Sequence, residues 1–169
     1  QDAMAAANRY YVSMDELFHS TGEMIARLLN TEAAFVTPGC GAALALSAAA
    51  CMSVGSAERM EQLPHTDGIP NQFLFQARQK YHYQRCLSIF GGHVMMIGNQ
   101  NGTSVEQLED SITQQTVGIH YYASGDPDDS ILDLDGILSV AGRHNLPVTI
   151  DAAYQVYPLD TMKAYAQTP

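Results

Sequence analysis

The sequence predicts an α/β domain: a mainly parallel sheet with helices on both faces. Three observations predict it. Short apolar runs alternate with helical patterns along the whole chain. The connections between them are mostly short, as crossover units in such sheets require. One apolar run, residues 33–37, enters the small-residue turn Thr37-Pro38-Gly39-Cys40-Gly41 and continues into an alanine-rich helical stretch, a strand–loop–helix unit.

The totals agree. The 169 residues suffice for one domain with a sizeable core, and 46% hydrophobic against 15% charged residues fits a buried α/β interior rather than disorder. The formal net charge of −10 argues against direct nucleic-acid binding by this segment. No apolar run reaches membrane-spanning length, and none resembles a signal peptide. Cys40, Cys51 and Cys86 are odd in number and lack CxxC spacing, which predicts free thiols and a cytoplasmic setting.

In chain order, residues 1–8 read as the tail of something that begins earlier. Ser13-Met14-Asp15-Glu16 is a capping box with Val12 and Leu17 placed as a hydrophobic staple. The helix it opens carries Leu17, Met24, Ile25, Leu28 and Leu29 on one stripe, and Asn30 can end it. A first strand is expected at 33–37 and the alanine-rich helix to about Val54, stopped by Gly55. Residues 56–71, with Pro64, Gly68 and Pro70, read as a long connection. A short strand at 73–76, a helix at 81–90 ended by Gly91-Gly92, and a fully apolar buried strand at 94–97 follow. Residues 104–112 form a short polar helix, 117–122 a strand, 124–130 a turn and 132–144 an amphipathic helix. The strand 148–150 ends at Asp151. Asn101-Gly102-Thr103 is a turn.

Ligands of such sheets bind at the carboxyl ends of the strands. Residues 37–41, 121–124 and 151–154 occupy such ends. The 37–41 loop is either an ordinary strand-to-helix connection or an anion site, with N–H groups at the positive end of a helix and Gly39 and Gly41 permitting close approach. Asp151 is either a cap or a group that holds a protonated ring nitrogen, a metal or a sugar hydroxyl. A P-loop is excluded because no GKS or GKT occurs, and Gly39-Cys40-Gly41-Ala42-Ala43-Leu44 lacks the third glycine of a dinucleotide fingerprint.

Four stretches taken together carry a family resemblance. They are Arg9-Tyr10-Tyr11-Val12-Ser13-Met14-Asp15-Glu16-Leu17, the run from Glu32 through Thr37-Pro38-Gly39-Cys40-Gly41 to Leu46, Leu63-Pro64-His65-Thr66-Asp67-Gly68, and Pro147-Val148-Thr149-Ile150-Asp151-Ala152-Ala153-Tyr154-Gln155. In their order and spacing the chain resembles the fold-type-I pyridoxal-phosphate enzymes, in particular the group related to selenocysteine synthase (L-seryl-tRNA selenium transferase) and D-glucosaminate-6-phosphate ammonia-lyase.

The resemblance implies roles. Gly39, Cys40 and Gly41 would offer N–H groups to the phosphate of pyridoxal 5'-phosphate. Asp151 would pair with the pyridine nitrogen, Ala153 would lie against one ring face, and Tyr83 would stand near the cofactor. Gln79 departs from the pattern where a His is expected, and Pro38 replaces a small polar residue. The Schiff-base lysine is not recognisable: Lys80 and Lys163 are the only lysines, and neither has the expected Ser/Gly-rich setting. The expectation is therefore a partial large domain that lacks the amino-terminal segment, the lysine region and the carboxyl-terminal small domain. The parent would be a lyase or transferase acting on an amino-acid or amino-sugar substrate through α-proton loss and elimination. The alternatives are a selenium-transferase-like enzyme and a fragment inactive by itself. A homodimer or higher homo-oligomer is implied.

The remaining features are open. His19, His65, His82, His93, His120 and His144 show no i,i+4 His pair, so no helical zinc motif arises. His120 either faces the pocket or packs in the core. His65-Thr66-Asp67 is a substrate contact or a plain turn. Cys40 has either a thiol pKa lowered by the helix start or a packing role. Asp126, Asp128 and Asp129 read as a solvated turn rather than a cation site.

Overall fold

A computed structural model describes residues 1–125 and 128–168. Four strands, β1 (Gln72–Gln76), β2 (His93–Ile97), β3 (Thr116–Tyr122) and β4 (Val148–Asp151), form one sheet in the order β2-β1-β3-β4. Every pairing is parallel, with Phe75 opposite Met96 and His120, and Tyr122 opposite Asp151. The helices are α1 (Asp2–Ala7), α2 (Met14–Leu29), α3 (Cys40–Ser53), α4 (Ala57–Gln62), α5 (Val105–Asp110), α6 (Leu134–His144) and α7 (Leu159–Ala166).

Side chains alternate along a strand, so each strand feeds two cores. Phe73 faces Leu44, Ala48 and Met52 of α3 together with Cys86 and Leu87. Leu74 and Ile119 face Leu108 of α5 and Ile137 and Val140 of α6. The chain leaving β1 crosses on the α3 face, whereas the chain leaving β3 crosses on the α6 face. Such a reversal opens a crevice at the carboxyl ends of β1 and β3.

The helix ends follow local chemistry. Ser13, Ser56, Ser104 and Asp133 each cap a helix start, accepting from the N–H three residues on. Asn30, Val54 and Asn145 close α2, α3 and α6 in the left-handed conformation.

Several expectations need correction. Residues 33–37 form no strand; they run irregularly beneath α2. Gly22 of α2 sits so close to them that a Cβ there would lie 2.5 Å from the Ala34 carbonyl oxygen, and Phe18 meets Phe35 with centroids 5.1 Å apart. The α2 stripe is not a core face: Leu17, Met24 and Leu28 are 42%, 64% and 54% exposed. Strand β2 is an edge strand, with Met95 and Met96 partly exposed, because among the described residues no strand pairs with its outer side. The helix expected over 81–90 is a 3-10 helix over His82–Ser88. Helix α4 lies inside the long connection, and α7 follows the sequence-predicted elements. Asp126 of the proposed turn lies outside the described residues. Asp128 is held by Arg78 at 2.9 Å and by Ser130. These bonds, Ser130 first, lower its pKa to about 2.

Candidate functional site

The register of β3 and β4 sets the site. Thr149 lies beside His120 and Asp151 beside Tyr122. With a repeat of two, Thr149 and Asp151 project to one face, as do His120 and Tyr122. Asp151 is 3% exposed and His120 is fully buried.

A chain of hydrogen bonds joins them. The Tyr81 hydroxyl donates to Asp151 Oδ2 at 2.6 Å and lies 3.1 Å from His120 Nε2. His120 Nδ1 lies 2.9 Å from Thr149 Oγ1. Cys40 Sγ donates to Asp151 Oδ1 at 3.4 Å, and the Ala153 N–H donates to the same oxygen at 3.1 Å. Proton counting gives the chain a direction. A carboxylate that only accepts takes the single hydroxyl proton of Tyr81. The Tyr81 oxygen must then accept from His120 Nε2–H, which leaves Nδ1 to accept from the Thr149 hydroxyl. In that assignment the donors run Thr149 to His120 to Tyr81 to Asp151.

Electrostatics keeps both His120 and Tyr81 uncharged. Burial pushes the His120 pKa down to about 4, against the upward pull of Asp151 and Thr149, so the imidazole is neutral near pH 7. Burial, followed by the bond to Asp151, raises the Tyr81 pKa well above that of a free phenol. Tyr81 thus remains a donor. Its ring stacks on Tyr122 with centroids 4.1 Å apart and planes 9° from parallel. Phe75 backs His120 at 5.0 Å.

The start of α3 reaches the same rim. Its N-cap is Gly39, at φ 157° and ψ 170°, a backbone region that L side chains rarely adopt. Gly39 offers no side-chain cap, so the first-turn N–H groups have no intrahelical acceptor. The Thr37 hydroxyl donates to the Gly39 carbonyl at 2.9 Å, which shapes the approach to the helix. A cleft of about 280 Å³ lies between α3 and β4, lined by Cys40, Ala43, Leu44, Ser47 and residues 148–153.

The sequence-predicted residues separate into two groups. Cys40, Asp151 and Ala153 meet at this cleft. Gly39 and Gly41 flank Cys40, but the open side of Gly41 faces the Cys86 sulfur, where a Cβ would lie 3.4 Å away. Gly41 therefore accommodates the 3-10 helix as well as exposing backbone. Tyr83 is 54% exposed and stands behind Tyr81 with centroids 6.3 Å apart, outside the cleft lining. The Cys40 thiol pKa is raised to about 11, not lowered, by burial first and the Asp151 charge next. His120 is both core and site. The 65–67 segment precedes β1, at the amino ends of the strands, where Thr66 accepts from Asn71. It is a structural turn remote from Asp151. Lys80 is exposed, Lys163 lies in α7, and neither lines the cleft.

Tyr81, Tyr122 and Thr149 were not legible as site residues. Alternation back from Asp151 points to Thr149 on the same face. No local signal points to Tyr81, which arrives from the connection after β1. Gln79, at the position where a His is expected, is buried and donates to the Tyr122 carbonyl at 2.9 Å. It holds the strand end that carries the stacking ring.

Comparison with known proteins bears on the fold and on relatedness. No family model matches the chain. It is 27% identical over 156 residues to D-glucosaminate-6-phosphate ammonia lyase of Salmonella typhimurium, covering 89% of this chain and 42% of the relative. It is 26% identical over 164 residues to 5'-C-glycyluridine monooxygenase-decarboxylase of a Streptomyces species, covering 40% of that relative. A solved D-glucosaminate-6-phosphate ammonia-lyase superposes with a TM-score of 0.84 at 26% identity, over 89% of this chain and 42% of that one. An E. coli GDP-4-keto-6-deoxy-D-mannose-3-dehydratase with bound hydrated pyridoxal phosphate shares the fold, with a TM-score of 0.54 at 16% identity over 82% and 34% of the two chains. The chain thus has an ammonia lyase among its homologues and part of the fold-type-I pyridoxal-phosphate architecture. It spans about two-fifths of the length of the curated relatives it matches.

Proposed function

We propose that this chain forms part of the cofactor-binding large domain of a pyridoxal 5'-phosphate-dependent lyase or transferase that acts on an amino-acid or amino-sugar substrate. One observation carries the reading: the buried Asp151 carboxylate and the side-chain-uncapped start of α3 share one cleft, with Cys40 touching both. A ring-sized ligand with an acidic group at one side and a protonated nitrogen at another fits that donor and acceptor set. The cleft lies at the lower end of the usual size range for ligand sites.

When bound, the cofactor supplies an electron sink for the charge left by a departing α-proton. The residues of this chain prepare it. Asp151 would hold a proton on the ring nitrogen. The N–H groups of Cys40 and Gly41 would receive the phosphate, with Gly39 keeping the approach clear. Ala153, with only a methyl group, would leave a ring face open. Tyr83, behind Tyr81 and outside the cleft lining, would support that ring rather than touch the cofactor. Neither Lys80 nor Lys163 lines the cleft, so neither places there the amine that the chemistry would require.

Elimination by a lyase is the reading the net charge of −10 favours over a transferase that handles tRNA. The ammonia lyase relative supports the same choice. No helix among the described residues is long and apolar enough to cross a membrane. Three unpaired cysteines fit a cytoplasmic enzyme. The exposed Met24, Leu28 and Tyr157 fit a homo-oligomer.

The test is a titration of the protein with pyridoxal phosphate, followed by absorbance. Saturable binding whose affinity falls in D151N is expected, with a visible band that borohydride abolishes only where the protein supplies the amine that this cleft lacks. Absence of binding, or an affinity indifferent to D151N, would overturn the reading.

A further inference from the structure

Among the described residues, Asp151 accepts three hydrogen bonds: two on Oδ1, from Cys40 and Ala153, and one on Oδ2, from Tyr81. A carboxylate has about four lone-pair positions. The remaining position lies on Oδ2, so a further donor would share that oxygen with the Tyr81 hydroxyl. Tyr81 is not free to leave. In the tautomer assigned above, its oxygen accepts from Nε2–H of the fully buried His120. Moving it would strand that donor away from water, which is costly. Its ring is also clamped against Tyr122.

We propose that Tyr81 is a positioning residue. Backed by His120 and Thr149, it holds the Asp151 carboxylate so that the remaining Oδ2 lone pair faces the place of a cofactor ring nitrogen. The assignment rests on the cofactor reading above. Tyr81 acts through Asp151 and needs no contact with substrate. The relay is one-directional: each member donates toward the carboxylate, so negative charge is retained where a cationic nitrogen would sit.

Two measurements test it. The first needs no ligand: the tautomer of His120 by imidazole ¹⁵N NMR. The direction of the relay requires Nε2–H; finding Nδ1–H in the wild-type protein would overturn the assignment, because Tyr81 would then be donating to His120.

The second compares two probes that need no lysine. Pyridoxine 5'-phosphate carries the ring nitrogen; benzyl phosphate carries the ring and phosphate without it. Y81F, which keeps the stacked ring, is expected to weaken pyridoxine phosphate binding about tenfold and leave benzyl phosphate binding unchanged. T149V, at the far end of the relay, is expected to show the same selectivity at smaller size. Equal weakening of both probes in Y81F would assign Tyr81 a packing role only, and no change in either would remove its role; each overturns the assignment alone. A wild-type protein that binds neither probe, or binds both equally with no effect of D151N, overturns the cofactor reading and this assignment with it.

Discussion

The Tyr81 hydroxyl lies 2.6 Å from the Asp151 carboxylate, although seventy residues separate them in the chain. The contact joins two connections on one rim of the sheet. Tyr81 follows β1, and Asp151 ends β4. Between them stands β3, whose His120 and Tyr122 meet the same phenol through its oxygen and its ring face. The rim is thus a preorganised acceptor rather than a row of independent strand ends.

The thiol of Cys40 should report on the Asp151 charge. Burial and the neighbouring carboxylate hold its pKa at about 11. Replacing the carboxylate in D151N removes the second influence and leaves the first. The thiol pKa is expected to fall only part of the way toward its ordinary value, and alkylation of Cys40 at pH 8.5 should quicken. Peptide mapping after timed iodoacetamide labelling checks this; an unchanged rate would separate the thiol from Asp151.

Acid should destabilise the fold through His120. Its folded pKa is about 4, below the 6.5 of a solvated histidine side chain. The unfolded chain therefore binds a proton more readily between those values. The contribution is fully present above pH 6.5 and is lost as pH falls toward 4, with a size on the order of 3 kcal/mol. Urea midpoints across this range should drop more steeply in the wild type than in H120N, in which that titration is absent.

Two glycine substitutions should act in opposite directions. G22A places a methyl group 2.5 Å from the Ala34 carbonyl oxygen and should cost roughly 1–3 kcal/mol by overpacking. G142A, in α6, meets nothing within 4 Å and should gain up to about 1 kcal/mol from helix propensity. Thermal unfolding of the pair checks both signs.

The amide of buried Gln76 binds both backbone groups of Leu132, accepting from its N–H at 2.7 Å and donating to its carbonyl at 2.9 Å. Q76L fills similar space but leaves both groups unpartnered, at about 1–3 kcal/mol for each group left unsatisfied. Faster hydrogen exchange at Leu132 and a lowered unfolding midpoint are expected.

Much of the fold was legible because its signals are local. The Ser13 cap, the terminal Asn30, the alanine-rich run and the spacing of apolar residues act within a few residues, and they place α2, α3, α5, α6 and the four strands of the sheet. The failures share a cause. Residues 33–37 have strand composition but no strand beside them. Val94, Met95 and Met96 read as buried, yet β2 lies at the edge of the sheet. Composition records what a segment tolerates, whereas neighbours decide what it pairs with.

The site divides in the same way. The sequence by itself determined the strand-end Asp151, the small-residue start of α3 and the acidic balance, because each is a property of a contiguous stretch. Only the tertiary structure decided that Cys40 and Asp151 touch, that the thiol pKa rises rather than falls, that the 65–67 turn lies at the far end of the sheet, and that Tyr81 and His120 stand behind the carboxylate. These outcomes depend on strand order, on register and on how deeply a group is buried. All three are set by packing among segments distant in the chain, so no short window of residues encodes them.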